Sequence, residues 1–353
     1  MLTTFIKNSV YNLPSELYPQ VETVLDKELI IEERLEAFED IIDSEVGDTT
    51  LVRARSIERE SGIRQLFLKF EGNNPTGTQK DRIAFAQCHD ALRRGYDALS
   101  VATCGNYGVS VSLAARLAGL KCFVHIPEHY HTKRVTEMEE LGANIIRTPG
   151  DYEKAVEISN ESAKVNDWYD ANPGGANTPI QLKAYADIAY EIYDELRDAP
   201  KIVAVPVSNG TVLAGVYKGF SSLYRRGKTS RMPIMVAGSS YKKNPIVHSF
   251  LKNKENYEDL QPENIKETIV NEPLINWHSF DGDLALQAIR STNGWAENIS
   301  DKSMIEYARI LGEKEGLKVL PASTAGLIAI IKHHQKASLE NDRFVAILTG
   351  KNS

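Results

Sequence analysis

Residues 98–127 read ALSVATCGNYGVSVSLAARLAGLKCFVHIP, and the fold is decided there. ALSVAT (98–103) is a short apolar run of strand length. VSVSLAARLAGL (109–120) has apolar residues at helical spacing and ends at a glycine, and KCFVHIP (121–127) is a second strand stopped by proline. The rhythm continues with HTKRVTEMEELGA (131–143) as a helix and NIIRT (144–148) as a strand. Strand and helix in alternation predict an α/β protein with parallel sheets covered by helices.

Toward the C-terminus the rhythm returns. KIVAVPV (201–207) predicts a strand, SNG a turn, TVLAGVYKGFSSLYRR (211–226) a helix and MPIMVAGSS (232–240) another strand. Between the two series lies QLKAYADIAYEIYDEL (181–196), with Ile188, Ile192 and Leu196 on one helical stripe. Residues 251–280 are polar and poorly patterned and predict long loops with short helices. DRFVAILTGKNS (342–353) predicts a strand running into a turn. Toward the N-terminus, VETVLDKELIIEERLEAFEDIID (21–43) predicts a helical arm extending to about residue 48. Two α/β units are expected, with ligands at the carboxyl ends of the parallel strands.

Composition narrows the function classes. A chain of 353 residues is about two domains at roughly 150 residues each. Hydrophobic residues make up 42% and charged residues 25%, as in ordinary globular proteins. Lys and Arg total 41 against 48 Asp and Glu, a net charge of -7 that argues against a nucleic-acid partner or a polybasic membrane surface. No run approaches the ~20 apolar residues of a membrane helix. MLTTFIKNSVYNLPSEL has no secretory apolar segment, so a cytoplasmic location is the expectation. The cysteines, Cys88, Cys104 and Cys122, lack CxxC spacing and imply neither a disulfide framework nor a zinc site.

Four stretches could carry chemistry. In KFEGNNPTGTQKDRIA (69–84), Asn-Pro and Thr-Gly mark a tight loop and Lys80 stands where a helix begins. The helix dipole disfavours a cation there, which suits a neutral amine or a Schiff-base lysine; the alternative is a loop lysine paired with Asp81. Thr103-Cys104-Gly105-Asn106-Tyr107-Gly108 joins a strand to a helix, where backbone amides can hold a carboxylate, or simply make a glycine-rich turn. Ser208-Asn209-Gly210-Thr211-Val212 makes the same kind of junction, open to a phosphate or serving as a plain connection. Thr349, at the end of the last strand, offers a neutral hydroxyl.

In this order and spacing, from Gly47-Asp48-Thr49-Thr50-Leu51 to Thr349, these stretches resemble the fold-type II pyridoxal-phosphate (PLP) enzymes. Among them the threonine synthases are most similar, through NPTGTQKDR, SNGTVLAGVYKGF, LPASTAGLIAI (320–330) and ILTG (347–350). The resemblance implies a large PLP-binding domain of residues 1–84 and 186–353, including the arm, and a small α/β domain of residues 85–185. It implies that Lys80 bonds PLP as a Schiff base and shuttles protons. Asn106 would hydrogen-bond the 3′-oxygen of PLP, Ser208, Asn209, Gly210, Thr211 and Val212 its phosphate, and Thr349 its pyridine nitrogen. Thr103, Cys104 and Tyr107 would surround the substrate carboxylate, and Arg82 is the candidate cation for a substrate phosphate. A hydroxyl at the pyridine nitrogen makes the ring a weaker electron sink, which suits elimination and replacement better than transamination.

The match departs at Cys104 and Tyr107, where the family usually has small hydroxyl residues, at Leu320, where threonine synthases usually have glutamate, and at Lys351-Asn352. The expected reaction is conversion of O-phospho-L-homoserine and water to L-threonine and phosphate. The alternatives are β-replacement or β-elimination on a serine-type amino acid, and a non-catalytic PLP-binding regulator. The partner expected is a small, phosphorylated amino acid, with no metal; family members are commonly homodimers. His129 with His131, His333 with His334, and Lys242 with Lys243 read as surface or helix residues. Gly227-Lys228-Thr229 lacks the first glycine of a phosphate-binding P-loop, and no G-x-G-x-x-G follows a strand.

Overall fold

Ten strands carry two sheets in the computed structural model, which describes residues 11, 13–103, 105–130 and 134–352. They are β1 (Leu51–Arg53), β2 (Leu66–Phe70), β3 (Ala98–Ala102), β4 (Lys121–Pro127), β5 (Asn144–Thr148), β6 (Tyr169–Asp170), β7 (Ile202–Pro206), β8 (Ile234–Ser240), β9 (Trp295–Ile299) and β10 (Phe344–Leu348). Cys104 and the expected helix start at His131 fall outside the described residues.

Contacts divide the chain into two units. One holds the described residues up to Gly47 together with Asn74–Gln181. Its sheet has the order β5-β4-β3-β6, parallel throughout. β3 is buried along its whole length, as a parallel strand covered on both faces should be. The helix after it spans Asn106–Ala118, starting three residues before the apolar pattern suggests, and ends where Gly119 turns left-handed at φ 70°.

The expected boundaries put the helical arm with the large domain, whereas the contacts group it with the smaller sheet. The arm is two helices, Tyr18–Leu25 and Ile31–Glu45, not one. Asp26 ends the first, and its carboxylate accepts the Glu28 amide at 3.0 Å, a turn that competes with continued helix. The buried stripe Ala37, Phe38 and Ile41 then faces inward, and Phe38 stacks on Phe85 of the helix Lys80–Arg93 with centroids 6.0 Å apart. Apolar burial of this kind is what assigns the arm to its unit.

The other unit comprises Asp48–Asn73 and the chain from Leu182 onward. Its sheet has the order β1-β2-β10-β7-β8-β9, with only β1 antiparallel. β7 and β10 are wholly buried, and the core gathers Leu66, Leu68, Ala204, Val236, Leu327 and Ala346 around them. Lys69 of β2 is buried against the Glu191 carboxylate and the Thr49 carbonyl, each at 2.5 Å, so a charged pair seats this strand on the helix Thr178–Leu196. Between residues 251 and 280 the only regular pieces are the short turns of 3₁₀ helix Pro262–Asn264 and Glu272–Leu274.

Candidate active site

Lys80 is the first residue of the helix Lys80–Arg93 and is half-buried. The loop before it is held by Asp81, whose carboxylate accepts the Thr76 amide at 2.8 Å and the Thr76 hydroxyl at 2.7 Å. Thr76 in turn meets the Ser110 hydroxyl at 2.9 Å. Burial pushes the Asp81 carboxyl up to about 6, against the hydrogen bonds from Thr76, Ser110 and the Thr78 backbone that favour its charged form. The carboxylate next to the candidate lysine is therefore engaged in shaping the loop.

The Lys80 Nζ lies 5.4 Å from the centroid of the Tyr107 ring. Tyr107 is buried in the first turn of the helix Asn106–Ala118. Its hydroxyl donates to the Ala171 carbonyl at 2.8 Å and accepts from the Gln87 side-chain amide. Asn106, the first helical residue, is half-buried beside it. Thr103 is buried at the end of β3, and its hydroxyl accepts the Gly105 amide at 3.4 Å. Arg82 is buried two residues past Lys80. Cys104 lies outside the described residues.

In the other unit the loop after β7 is cupped by hydrogen bonds to its carbonyls. The Val207 carbonyl accepts the Ser239 hydroxyl at 2.6 Å. The Ser208 carbonyl accepts the Ser279 hydroxyl at 2.9 Å and the Asn244 amide at 3.0 Å. The Asn209 carbonyl accepts the Asp281 amide, and the Gly210 carbonyl accepts Ala214 N, each at 3.0 Å. The Asn209 side-chain oxygen accepts from Asn276 at 3.0 Å. The helix Thr211–Arg225 starts there with no side-chain cap, and a helix start of this kind favours a negative ligand.

Gly210 makes the turn at φ 92°, and a Cβ there would stand 2.8 Å from the Ala285 Cβ and 2.9 Å from the Asp281 carbonyl. Only glycine fits both the angle and the space. Ser208 and Asn209 are half-buried, Val212 is buried, and the Thr211 hydroxyl donates to the Asp281 carboxylate at 2.5 Å. Thr211 thus offers a ligand its backbone amide, its hydroxyl proton being committed to Asp281.

Thr349, after β10, meets the Ser323 hydroxyl at 3.1 Å. Ser323 also accepts the Gly350 amide at 3.0 Å, which fixes the end of the strand. Leu320, in place of the usual glutamate, packs on an apolar cluster of Leu274, Ile299 and Met304. Lys243 donates to the Lys266 carbonyl, and the Lys242 Nζ lies 5.2 Å from the Tyr241 centroid. His333 stacks on Trp295 at 4.0 Å, and the His334 Nδ1 accepts the Leu339 amide at 3.0 Å.

Sequence reasoning missed Ser239, Asn244, Asn276, Ser279 and Asp281, which hold the cup, and Gln87, which holds Tyr107. The loop after β7 fits a phosphate ester, and Lys80, an amine at a helix start, fits an aldehyde partner. Both groups belong to pyridoxal phosphate.

The comparisons with known proteins point the same way. The profile of the pyridoxal-phosphate dependent enzymes matches residues 42–350. The threonine synthase of Methanocaldococcus jannaschii is 31% identical over 307 residues, covering 86% of this chain and 74% of that one. That of Bacillus sp. (strain ULM1) is 29% identical over 312 residues, covering 86% and 82%. Among solved structures, maize serine racemase superposes with a TM-score of 0.75 at 19% identity, covering 90% of this chain and 92% of that one. Threonine deaminase isoform 2 of Solanum lycopersicum gives 0.74 at 14% identity, covering 98% and 92%. These structures share the fold. With a match from residue 42 to residue 350 and a relative at 31% identity, the chain belongs to the pyridoxal-phosphate dependent enzymes.

Proposed function

We propose that this enzyme converts O-phospho-L-homoserine and water to L-threonine and inorganic phosphate. The observation that carries the substrate is the set of relatives: threonine synthases at 31% and 29% identity, each aligned over 86% of this chain. Pyridoxal phosphate, when bound, withdraws electrons from the substrate's α-carbon and so supports elimination and replacement.

Each residue has a part in this reading. Lys80 would hold the cofactor's aldehyde carbon, and its amine would move protons at the substrate's α- and β-carbons. The backbone amides from Ser208 to Val212 bind the cofactor phosphate, with Gly210 giving the close approach. Asn106 hydrogen-bonds the 3′-oxygen. Thr349, steadied by Ser323, meets the ring nitrogen with a neutral hydroxyl. Thr103, Cys104 and Tyr107 surround the substrate carboxylate. Arg82, buried and always charged, binds the leaving phosphate, where low dielectric strengthens the attraction.

A second reading has one specific observation in its favour. The Tyr107 ring beside Lys80 takes up room, which favours a smaller, serine-type substrate undergoing β-elimination or β-replacement. A product assay separates the two. With O-phospho-L-homoserine, phosphate and threonine should appear in equal amounts at about 1 per second or faster. Neither product, from unreduced protein of which a separate sample shows PLP trapped on Lys80 by borohydride, sinks the threonine synthase reading and moves the test to serine and O-phosphoserine.

A further inference from the structure

We propose that Tyr107 is a specificity-determining residue that limits substrate size beside Lys80, and that Gln87 and Gln181 are positioning residues that hold its ring in place. The inference rests on the reading that Lys80 carries the cofactor, and it deepens that reading by naming the substrate class: amino acids whose side chains place little bulk beside Lys80.

The argument begins with distance. A substrate atom seated between the Lys80 Nζ and the ring would need about 7 Å, two contacts of about 3.5 Å each. The observed separation of 5.4 Å leaves no room for one. The ring therefore closes one side of the reacting nitrogen, whereas a threonine or serine in its place would leave that side open.

The ring cannot easily swing away. Its hydroxyl is bonded on both sides, donating to the Ala171 carbonyl at 2.8 Å and accepting from the Gln87 amide. Gln87 is fully buried, and its amide also reaches the Ile83 carbonyl at 3.2 Å. Its oxygen accepts from the Gln181 amide at 3.1 Å, and that amide also donates to the Asn172 carbonyl at 3.0 Å. Freeing the phenol would strand buried polar atoms, which is costly. Nor can the helix retreat. A Cβ on Gly108 would stand 2.4 Å from the Met138 Cε and 3.0 Å from the Thr103 Cγ2, so this first turn is already packed to contact.

The test uses the holoenzyme and reads binding, not turnover. The cofactor's visible absorbance is titrated with L-alanine, L-serine, L-leucine and L-phenylalanine, giving an apparent Kd for each. Wild type should bind alanine and serine at least about tenfold more tightly than leucine and phenylalanine, the scale on which a fixed pocket resolves side-chain size. Tyr107→Ala should reduce that ratio about tenfold. Tyr107→Phe and Gln87→Met should each reduce it less, and the double variant should be no worse than either single one, since both remove the same restraint.

Wild-type protein that binds leucine as well as alanine overturns the proposal, and so does Tyr107→Ala with the wild-type ratio. If Tyr107→Ala does not fold, the wild-type series and Tyr107→Phe still decide. Additive effects in the double variant overturn the role of Gln87. Borohydride trapping is run on every sample. Trapping on another lysine defeats the underlying reading, whereas trapping on Lys80 with a flat size series defeats this inference alone.

Discussion

The turn leading into Lys80 and the loop after β7 are both strand-to-helix junctions, yet they are made rigid differently. At the first, one buried carboxylate, that of Asp81, gathers the Thr76 amide and hydroxyl into a compact loop. At the second, side chains of Ser239, Asn244 and Ser279 donate to the backbone carbonyls, and Asn276 donates to the Asn209 side-chain oxygen. The first presents side chains to chemistry and the second presents backbone. A side-chain site is sensitive to the identity of one residue, whereas a backbone site is sensitive to whatever shapes the backbone.

Three substitutions put this contrast at risk. The largest effect belongs to Lys80→Ala. Activity should fall by at least about 10²–10⁴-fold from lost proton transfer alone, and borohydride should no longer trap the cofactor on the protein. A folded Lys80→Ala variant that still traps PLP would show that the chemistry resides elsewhere.

Asn244→Ala comes next. It should cost about 2–4 kcal/mol, because it strands the Asn276 oxygen in a buried place, takes one of two donors from the Ser208 carbonyl and uncaps the helix Pro245–Leu251. Urea unfolding gives the stability, and titration of the stripped protein with PLP should show weaker binding, although Asn244 is not among the residues proposed to touch the cofactor. Unchanged PLP affinity would mean that the backbone cup does not depend on its supports.

The third tests the carboxylate. Asp81 titrates near 6 in the folded protein, above its ordinary 3.8. The native state therefore holds a proton that the unfolded chain has already released between about pH 4 and pH 6. Stability through this group is full below pH 4, falls as pH rises to 6, and amounts to about 2–3 kcal/mol in all. In Asp81→Asn that slope should vanish from a pH series of urea midpoints, whereas Asn244→Ala should keep it. A slope that survives in Asp81→Asn would assign it to another group.

The sequence was a good guide where the physics is local and periodic. β5 and the helix Thr211–Arg225 came within a residue of their expected ends because apolar runs and glycine stops are written along the chain. The arm misled because apolar spacing continues across Asp26, and the turn there depends on one side-chain bond. Gln87 did leave a trace: it lies on the buried stripe of Ile83, Ala84, Cys88 and Ala91, where a polar residue needs a partner. Asn276, Ser279 and Asp281 left none. They reach the loop from the poorly patterned region and its border, and their value lies in bonds to residues some 70 positions away, as between Ser279 and Ser208.

The order of the large sheet bears on how the protein is made. β10 lies between β2 and β7, and it is the last of the ten strands to leave the ribosome. Until Phe344–Leu348 arrives, the partner edges of β2 and β7 have nothing to pair with. A nascent chain must therefore carry an open edge of β2, joined by an open edge of β7 once Ile202–Pro206 is made, until β10 arrives, a state prone to sticking to its neighbours. The same arrangement acts as a length check. A product broken off before residue 344 has no way to close the sheet or to place Thr349, so quality control is presented with an unfinished core and not with a folded, half-equipped enzyme.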